Sequence, residues 1–270
     1  MLGRLKLLYR SEHAERLKTL KYDIGGVVHN FLIAELFARK PELFEIAHQS
    51  GSELKPFALS WPKADLDNGF ISWEITSLNA EAYSFLEDLA AKPADSYKID
   101  RAEDIITLQK SSLEEGLSYA DFTVRYFASP SDEIPDELEL EFAAPTTFNW
   151  SNNGHYYPLP DLELLYVSAL RKWKYFASDI SLEDGDLLPK LVNNTRYNYV
   201  RVLHQTVKIA GARIPCFHGS IKVKLYGADS IKRLTHLILR YLEYSGTGAK
   251  TQMGLGKTRV IPLSRNKQDE

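Results

Sequence analysis

Cysteine, metal-ligand spacing and long apolar runs are all scarce or missing in this 270-residue chain. One cysteine, Cys216, excludes an internal disulfide framework and any thiolate metal cluster built within one chain. HExxH and GxSxG are absent, and no Asp/Glu/His group has metal-ligand spacing, so zinc hydrolysis and nucleophile-elbow chemistry have no carrier. No stretch approaches the roughly 20 apolar residues that span a bilayer. The opening MLGRLKLLYR lacks the apolar core and small-residue cleavage site of a secretory signal. The expectation is a cytoplasmic protein that works without a membrane, a metal or a cofactor. What is present is a hydrophobic fraction of 44%, enough to bury a core and to exclude wholesale disorder.

Acidic residues are also missing, but only locally. Residues 1–150 carry 15 Lys/Arg against 26 Asp/Glu, whereas residues 151–270 carry 18 against 10. The overall charge of −3 therefore hides an acidic front half and a basic rear half. Between Leu187 and Ala228 there are seven cations, Lys190, Arg196, Arg201, Lys208, Arg213, Lys222 and Lys224, and no carboxylate. A stretch that excludes negative charge over such a length is a candidate polyanion surface.

Periodicity predicts an α+β chain. Strands are expected at Leu2–Tyr9, Phe57–Trp61, Phe70–Thr76, Ile99–Leu108, Phe122–Phe127 and in LELEFA, and near Thr258–Pro262. Helices are expected at Ile24–Arg39, in PELFEIAH from Pro41, and at Ala80–Ala91 and Leu162–Phe176. Another is expected at Asp229–Tyr244, with Asp229 as N-cap. Tyr199–Ile209 and Ile214–Tyr226 read as a two-stranded ribbon around Gly211, and residues 145–160 as a loop. The proline-rich acidic segment ASPSDEIPDE (128–137) reads as a linker between domains 1–130 and 131–270. Each half approximates β-α-β-β-α-β, so the predicted fold is two tandem ferredoxin-like domains, a pattern that RNA-recognition domains also use.

Two features carry chemistry. YSGTGAKTQMGLGKT (244–258) interleaves Gly246, Gly248, Gly254 and Gly256 with Lys250 and Lys257, and such a loop can aim N–H groups at a phosphate. A nucleotide-binding P-loop is excluded because Thr251 stands where the pattern needs glycine, and only twelve residues follow. A plain flexible turn is the alternative. The second feature is His29 on the first helix and His48 at the end of PELFEIAH, with Lys55 just beyond. Two imidazoles and an ammonium around one phosphate suffice for metal-free RNA cleavage. One group takes the 2′-OH proton, another protonates the 5′-oxygen, and the cation offsets charge on the phosphorane. Taken singly, each histidine also reads as an ordinary helix residue. His204 and His218 lie in the acid-free ribbon, where Tyr197 and Tyr199 offer rings for stacking on unpaired bases or for packing.

Four blocks, residues 25–60, FAAPTTF (142–148), YYPLPDLELLYVSALRKW (156–173) and the glycine-rich 244–258, carry a family resemblance. The chain resembles the CRISPR-associated endoribonucleases that process precursor CRISPR RNA, the "Cas six" family of the repeat-associated mysterious protein superfamily. The resemblance implies tandem ferredoxin-like domains with a C-terminal glycine-rich loop. It also implies metal-independent cleavage of CRISPR repeat RNA to a 2′,3′-cyclic phosphate and a 5′-OH. The family's histidine follows a P-E-L-x-x-x-x-H segment, which places it at His48; the downstream lysine matches Lys55, and His29 stands where some members carry tyrosine. The implied roles are His48 as main acid–base residue, His29 as its partner and Lys55 on the phosphate. The seven cations and the glycine-rich loop would hold the RNA. A non-catalytic crRNA-binding subunit of an effector complex is the alternative within the superfamily. An effector complex and a second copy of the chain are further expected partners.

Overall fold

The computed structural model describes residues 1–17, 24–48, 54–65, 67–100, 103–128, 130, 134–149, 155–177, 179–182, 185–209 and 211–263. Alternation builds the first strand: β1 (Gly3–Ser11) buries Leu5, Leu7 and Tyr9 on one face and turns Lys6 and Arg10 outward. α1 (Ala14–Leu17), α2 (Ile24–Arg39), α3 (Pro41–His48), β2 (Phe57–Leu59), β3 (Lys63–Asp65), β4 (Phe70–Ser77), α4 (Ala80–Ala91), β5 (Ser96–Ile99) and β6 (Asp104–Leu113) follow. Their strands form an antiparallel sheet in the order β2-β4-β1-β6-β5, with β3 also on β4. α2 and α4 cover one face, where Phe31, Leu32, Phe85 and Leu86 join Leu7, Tyr9, Trp73 and Ile75 in one core.

The rear half repeats the plan. After α5 (Tyr119–Phe127) come β7 (Glu137–Thr146), β8 (Phe148–Asn149), β9 (Tyr156–Tyr157), α6 (Leu162–Phe176), α7 (Leu187–Asn193), β10 (Thr195–Ile209), β11 (Ala212–Leu225), α8 (Asp229–Ser245) and β12 (Thr258–Leu263). The sheet order is β10-β11-β7-β12. β1 lies between β4 and β6 in the front sheet, and β7 lies between β11 and β12 in the rear sheet, so in each half the first strand is central, as in the ferredoxin-like winding expected from the sequence. α6 and α8 cover this second sheet, with Tyr166, Trp173, Leu239 and Tyr241 packed on Leu138, Leu140, Ile221 and Val223. Among the described residues no helix is long and apolar enough to cross a membrane.

Several expectations need correction. Phe122–Phe127 is not a strand but part of α5. Ser118 caps that helix by accepting from Asp121 N, and Tyr119, Phe122 and Tyr126 recur at helical spacing toward α8. Ile99–Leu108 is not one strand: β5 ends at Ile99, Glu103 takes φ 50°, and β6 returns antiparallel. In 128–137 the later residues are built into the rear half, with Ile134 buried and Asp136 O accepting from Leu225 N. Asp229 does not cap α8; Ala228 holds that position, and Asp229 pairs with Arg233 one turn on at 2.6 Å. The loop expected at 145–160 contains the short β8–β9 pair, and Lys190 lies on the unforeseen helix α7 rather than on the ribbon.

The halves lock through α5, α8 and β1. Tyr119 and Tyr241 hydroxyls lie 3.1 Å apart, Thr76 Oγ1 donates to Tyr244 O at 2.6 Å, and Arg4 reaches Glu74, Glu114 and the Glu243 carbonyl.

Candidate active site

The glycine-rich segment between α8 and β12 folds back on itself. Gly246, Gly248, Gly254 and Gly256 all take positive φ, between 66° and 86°. Two of them have no substitute: a Cβ on Gly248 would lie 2.1 Å from Thr147 O, and one on Gly256 would lie 2.0 Å from Thr247 O. The loop's seat is the FAAPTTF strand end, because Ala249 N donates to Thr147 O and Gly256 N to Pro145 O. The amides of Gly246, Thr247 and Gly248 are likewise engaged, by Leu242 O, Gly256 O and Ser168 Oγ. The stretch left to face a ligand is the tip around the single 3-10 turn Thr251–Met253. Lys250 leads into it in the left-handed region at φ 55°, a conformation that costs a non-glycine residue on the order of 1 kcal/mol.

The two lysines of this loop have different surroundings. Lys250 is half-buried at the tip, while Lys257 is 11% exposed and bound to Glu74 of the front half at 2.7 Å. Burial lowers its pKa, with Arg4 adding repulsion and Glu74 opposing both. A third lysine, Lys172 of α6, has no counterpart among the residues expected from the sequence. It is 7% exposed, and its ammonium donates to Ser245 O at 2.6 Å and Gly246 O at 3.0 Å, capping the C-terminal carbonyls of α8 where the loop leaves it. Burial pulls it down from 10.5 to about 7. Between about pH 7 and 10.5 the unfolded chain then holds a proton that the folded chain has shed, so this group makes stability rise with pH across that window. Lys172→Met is expected to flatten that rise, which urea unfolding of both proteins at several pH values within the window measures.

The front half meets this loop through α2. A Cβ on Gly25 would lie 2.5 Å from the Trp61 ring and 2.8 Å from Met253 O, so the first turn of α2 rests directly on the loop tip. One turn later His29, half-buried, places Nδ1 3.2 Å from Gln252 O. The tip of the β10–β11 ribbon closes on the same point: Val207, Ile209, Ile214 and Cys216 form a small core with Leu255, flanked by Met253 and Trp61. His29, Asn30, Lys98, Asp100, Ile209 and Met253 thereby line a cleft of about 170 Å³. His48 is the last residue of α3, and its side chain lies outside the described residues. Lys55 Nζ donates to Ile46 O at 2.6 Å, which fastens the segment after α3 to the helix end that carries His48.

Along the ribbon, Arg196, Arg201, Lys208, Arg213 and Lys224 are exposed and Lys222 is half-buried. Of these six, among the described residues, only Lys224 has a carboxylate within ion-pair reach, Glu137 at 4.0 Å. Two like-charged pairs stand directly opposite each other across the strands, Arg196 with Lys224 and Lys208 with Arg213. Such pairs are destabilising, and at the Lys208–Arg213 end no carboxylate among the described residues offsets the charge. Lys222 lies over the exposed Tyr199 ring at 5.7 Å, and Tyr197 donates to Pro160 O. His204 is exposed, while His218 turns into a second concavity between the two sheets. That concavity comprises two cavities, of about 810 and 470 Å³, that meet at Trp61 and Ala143. Several of its cations already have carboxylate partners, as in Lys6–Glu114, Lys257–Glu74 and Arg259–Glu141. No group of three or more His, Cys, Asp or Glu among the described residues could hold a metal ion.

Comparison with known proteins gives consistent results. The model of the CRISPR-associated endoribonuclease Cas6 family matches residues 140–258. A CRISPR-associated endoribonuclease Cas6 of Mycobacterium tuberculosis (strain CDC 1551 / Oshkosh) is 28% identical over 194 residues, covering 72% of this chain and 60% of that protein. One from Streptococcus thermophilus is 28% identical over 130 residues, 48% of this chain and 53% of that protein. The matches thus span little more than half the length of these relatives. Among solved structures, a Cas6 product complex superposes with a TM-score of 0.73 at 22% identity, over 97% of this chain and 99% of that one, which shows a common fold.

Proposed function

We propose that the chain is a Cas6-family endoribonuclease that cuts CRISPR repeat RNA into guides without a metal ion. In this reading the front half, residues 1–130, supplies the chemistry and the rear half, 131–270, grips the RNA. One observation carries it: His29 of the front half is seated on the glycine-rich loop, in a cleft that Ile209 at the tip of the cationic ribbon also lines.

The scissile phosphate lies between His29 and the end of α3, with neighbouring phosphates along the ribbon cations Arg201, Lys208, Arg213, Lys222 and Lys224. Arg196 and Lys190 extend the track, and Lys250 and the loop tip meet the RNA at its crossing between the halves. One imidazole removes the proton of the 2′-OH, whose oxygen attacks the adjacent phosphorus. His48 exchanges the main proton of the step, and His29 is its partner. The P–O5′ bond breaks as the other imidazole delivers a proton to the leaving oxygen. The products are a 2′,3′-cyclic phosphate and a 5′-OH. Lys55 offsets charge on the phosphorane.

Incubation with repeat RNA in EDTA tests this directly. The protein is expected to cut at one position, and a 2′-deoxy nucleotide 5′ of the scissile bond should abolish the cut. Activity that disappears in EDTA and returns with added magnesium would contradict the mechanism.

A further inference from the structure

We infer that the glycine-rich loop is part of the catalytic apparatus itself: the backbone carbonyl of Gln252 fixes the tautomer of His29, making Nε2 the nitrogen that exchanges protons with RNA. This rests on the reading of His29 as an acid–base residue, but its structural part stands on the protein alone.

Valence decides which ring nitrogen carries the proton. A backbone carbonyl only accepts, so a nitrogen 3.2 Å from Gln252 O in a hydrogen bond must carry the proton. In the neutral ring Nδ1 is then N–H and Nε2 holds the lone pair. Isolated histidine prefers the opposite tautomer, so the contact changes the ring's chemistry as well as its position. An acid–base histidine needs such an orienting acceptor, and a carboxylate commonly provides it. Here the acceptor is an uncharged carbonyl, so the contact itself adds no further negative charge to the cleft, which Asp100 also lines.

The carbonyl is held firmly. Met253 N donates to Lys250 O at 2.8 Å, closing the 3-10 turn whose middle residue is Gln252. The strained Lys250 and the positive φ of Gly254, 86°, bracket that turn. Gln252 is itself buried, and Gly25 brings α2 within contact distance of Met253 O. Several of the loop's amides serve the loop's own fold. Its glycines thus build the platform that presents one carbonyl to His29. Gln252 is a positioning residue acting through its main chain, so no side-chain motif in the sequence marks it.

Two measurements test the inference. The first is long-range 1H–15N NMR of histidine-labelled protein, with the His29 signals assigned from a His29→Gln spectrum, recorded where the ring is neutral. The expected pattern is a protonated-type Nδ1 and a lone-pair-type Nε2; the reverse pattern would overturn the inference whether or not the protein cleaves RNA. The second replaces the Gln252–Met253 amide with an ester, which weakens this carbonyl as an acceptor and also removes the Met253 N–H that donates to Lys250 O, so the tautomer signals, expected to shift, are read on the same sample as the rate. The single-turnover cleavage rate should fall about tenfold or more, corresponding to about 1.4 kcal/mol, with RNA affinity changed less than about twofold. An unchanged rate would overturn the catalytic part. Wild-type protein that leaves repeat RNA intact would instead refute the endoribonuclease reading and leave the NMR result to decide the contact by itself.

Discussion

His48→Ala is expected to lower the single-turnover rate of repeat-RNA cleavage by about 10²–10⁴-fold, the range associated with removing a positioned acid–base group. RNA affinity should stay near the wild-type value, because the imidazole exchanges a proton and does not anchor the strand. His29→Ala should fall in the same range. The double variant should lose far less than the product of the two effects, since groups that act as one unit do not add. Substrate chemistry separates the two roles. A repeat RNA with sulfur in place of the bridging 5′-oxygen has a leaving group that needs no protonation. It should restore the variant that lacks the acid and leave the variant that lacks the base inactive. Variants that bind RNA less well but cut at the normal rate when saturated would assign both histidines to binding. A chain that cuts nothing with either histidine intact would instead fit a guide-binding subunit.

The second large effect concerns grip. Replacing Arg201, Lys208, Arg213 and Lys222 together with glutamine should reduce the slope of log affinity against log salt by about 3, at roughly 0.7–0.9 for each phosphate no longer neutralised. Affinity at moderate salt should fall on the order of 10²–10³-fold. Stability should move the other way. Lys208 and Arg213 face each other directly on the ribbon tip, and removing a like-charged cross-strand pair returns a few tenths of a kcal/mol. Looser RNA binding with a slightly higher urea midpoint would be the mark of a surface kept for a polyanion rather than for the fold. Equal declines in affinity and stability would mean that these residues hold the ribbon together.

The fold was legible where one periodicity dominates. Leu5, Leu7 and Tyr9 alternate, the apolar positions of α2 recur at helical spacing, and the two runs flanking Gly211 predicted a ribbon that the structure contains. Reading failed where aromatics serve a helix. YADFTVRYF is rich in residues that favour strands, yet Ser118 caps it and Phe122 is buried among Trp173, Tyr241 and Tyr244. The site was legible only in part. Imidazoles and cations announce themselves by residue type, and glycine spacing marked the loop. What those glycines do was hidden, because the reason for Gly248 is the approach of the Thr147 carbonyl from the end of β7, and the reason for Gly256 is the Thr247 carbonyl across the folded loop. Lys172 left a readable trace: it follows Leu165 and Ala169 on the buried stripe of α6, where a lysine needs an acceptor. The Gln252 carbonyl left none, since main-chain atoms carry no sequence signal.

The central claim is that His29 and the end of α3 converge on RNA held by the ribbon. A structure of the protein bound to its repeat RNA, with a 2′-deoxy nucleotide at the cleavage site, tests it most directly. The account predicts the scissile phosphate within hydrogen-bonding reach of the His29 imidazole, beside Lys55 and the His48 side chain, with flanking phosphates on Lys208 and Arg213. A scissile phosphate lodged between the two sheets, out of reach of both imidazoles, would contradict it.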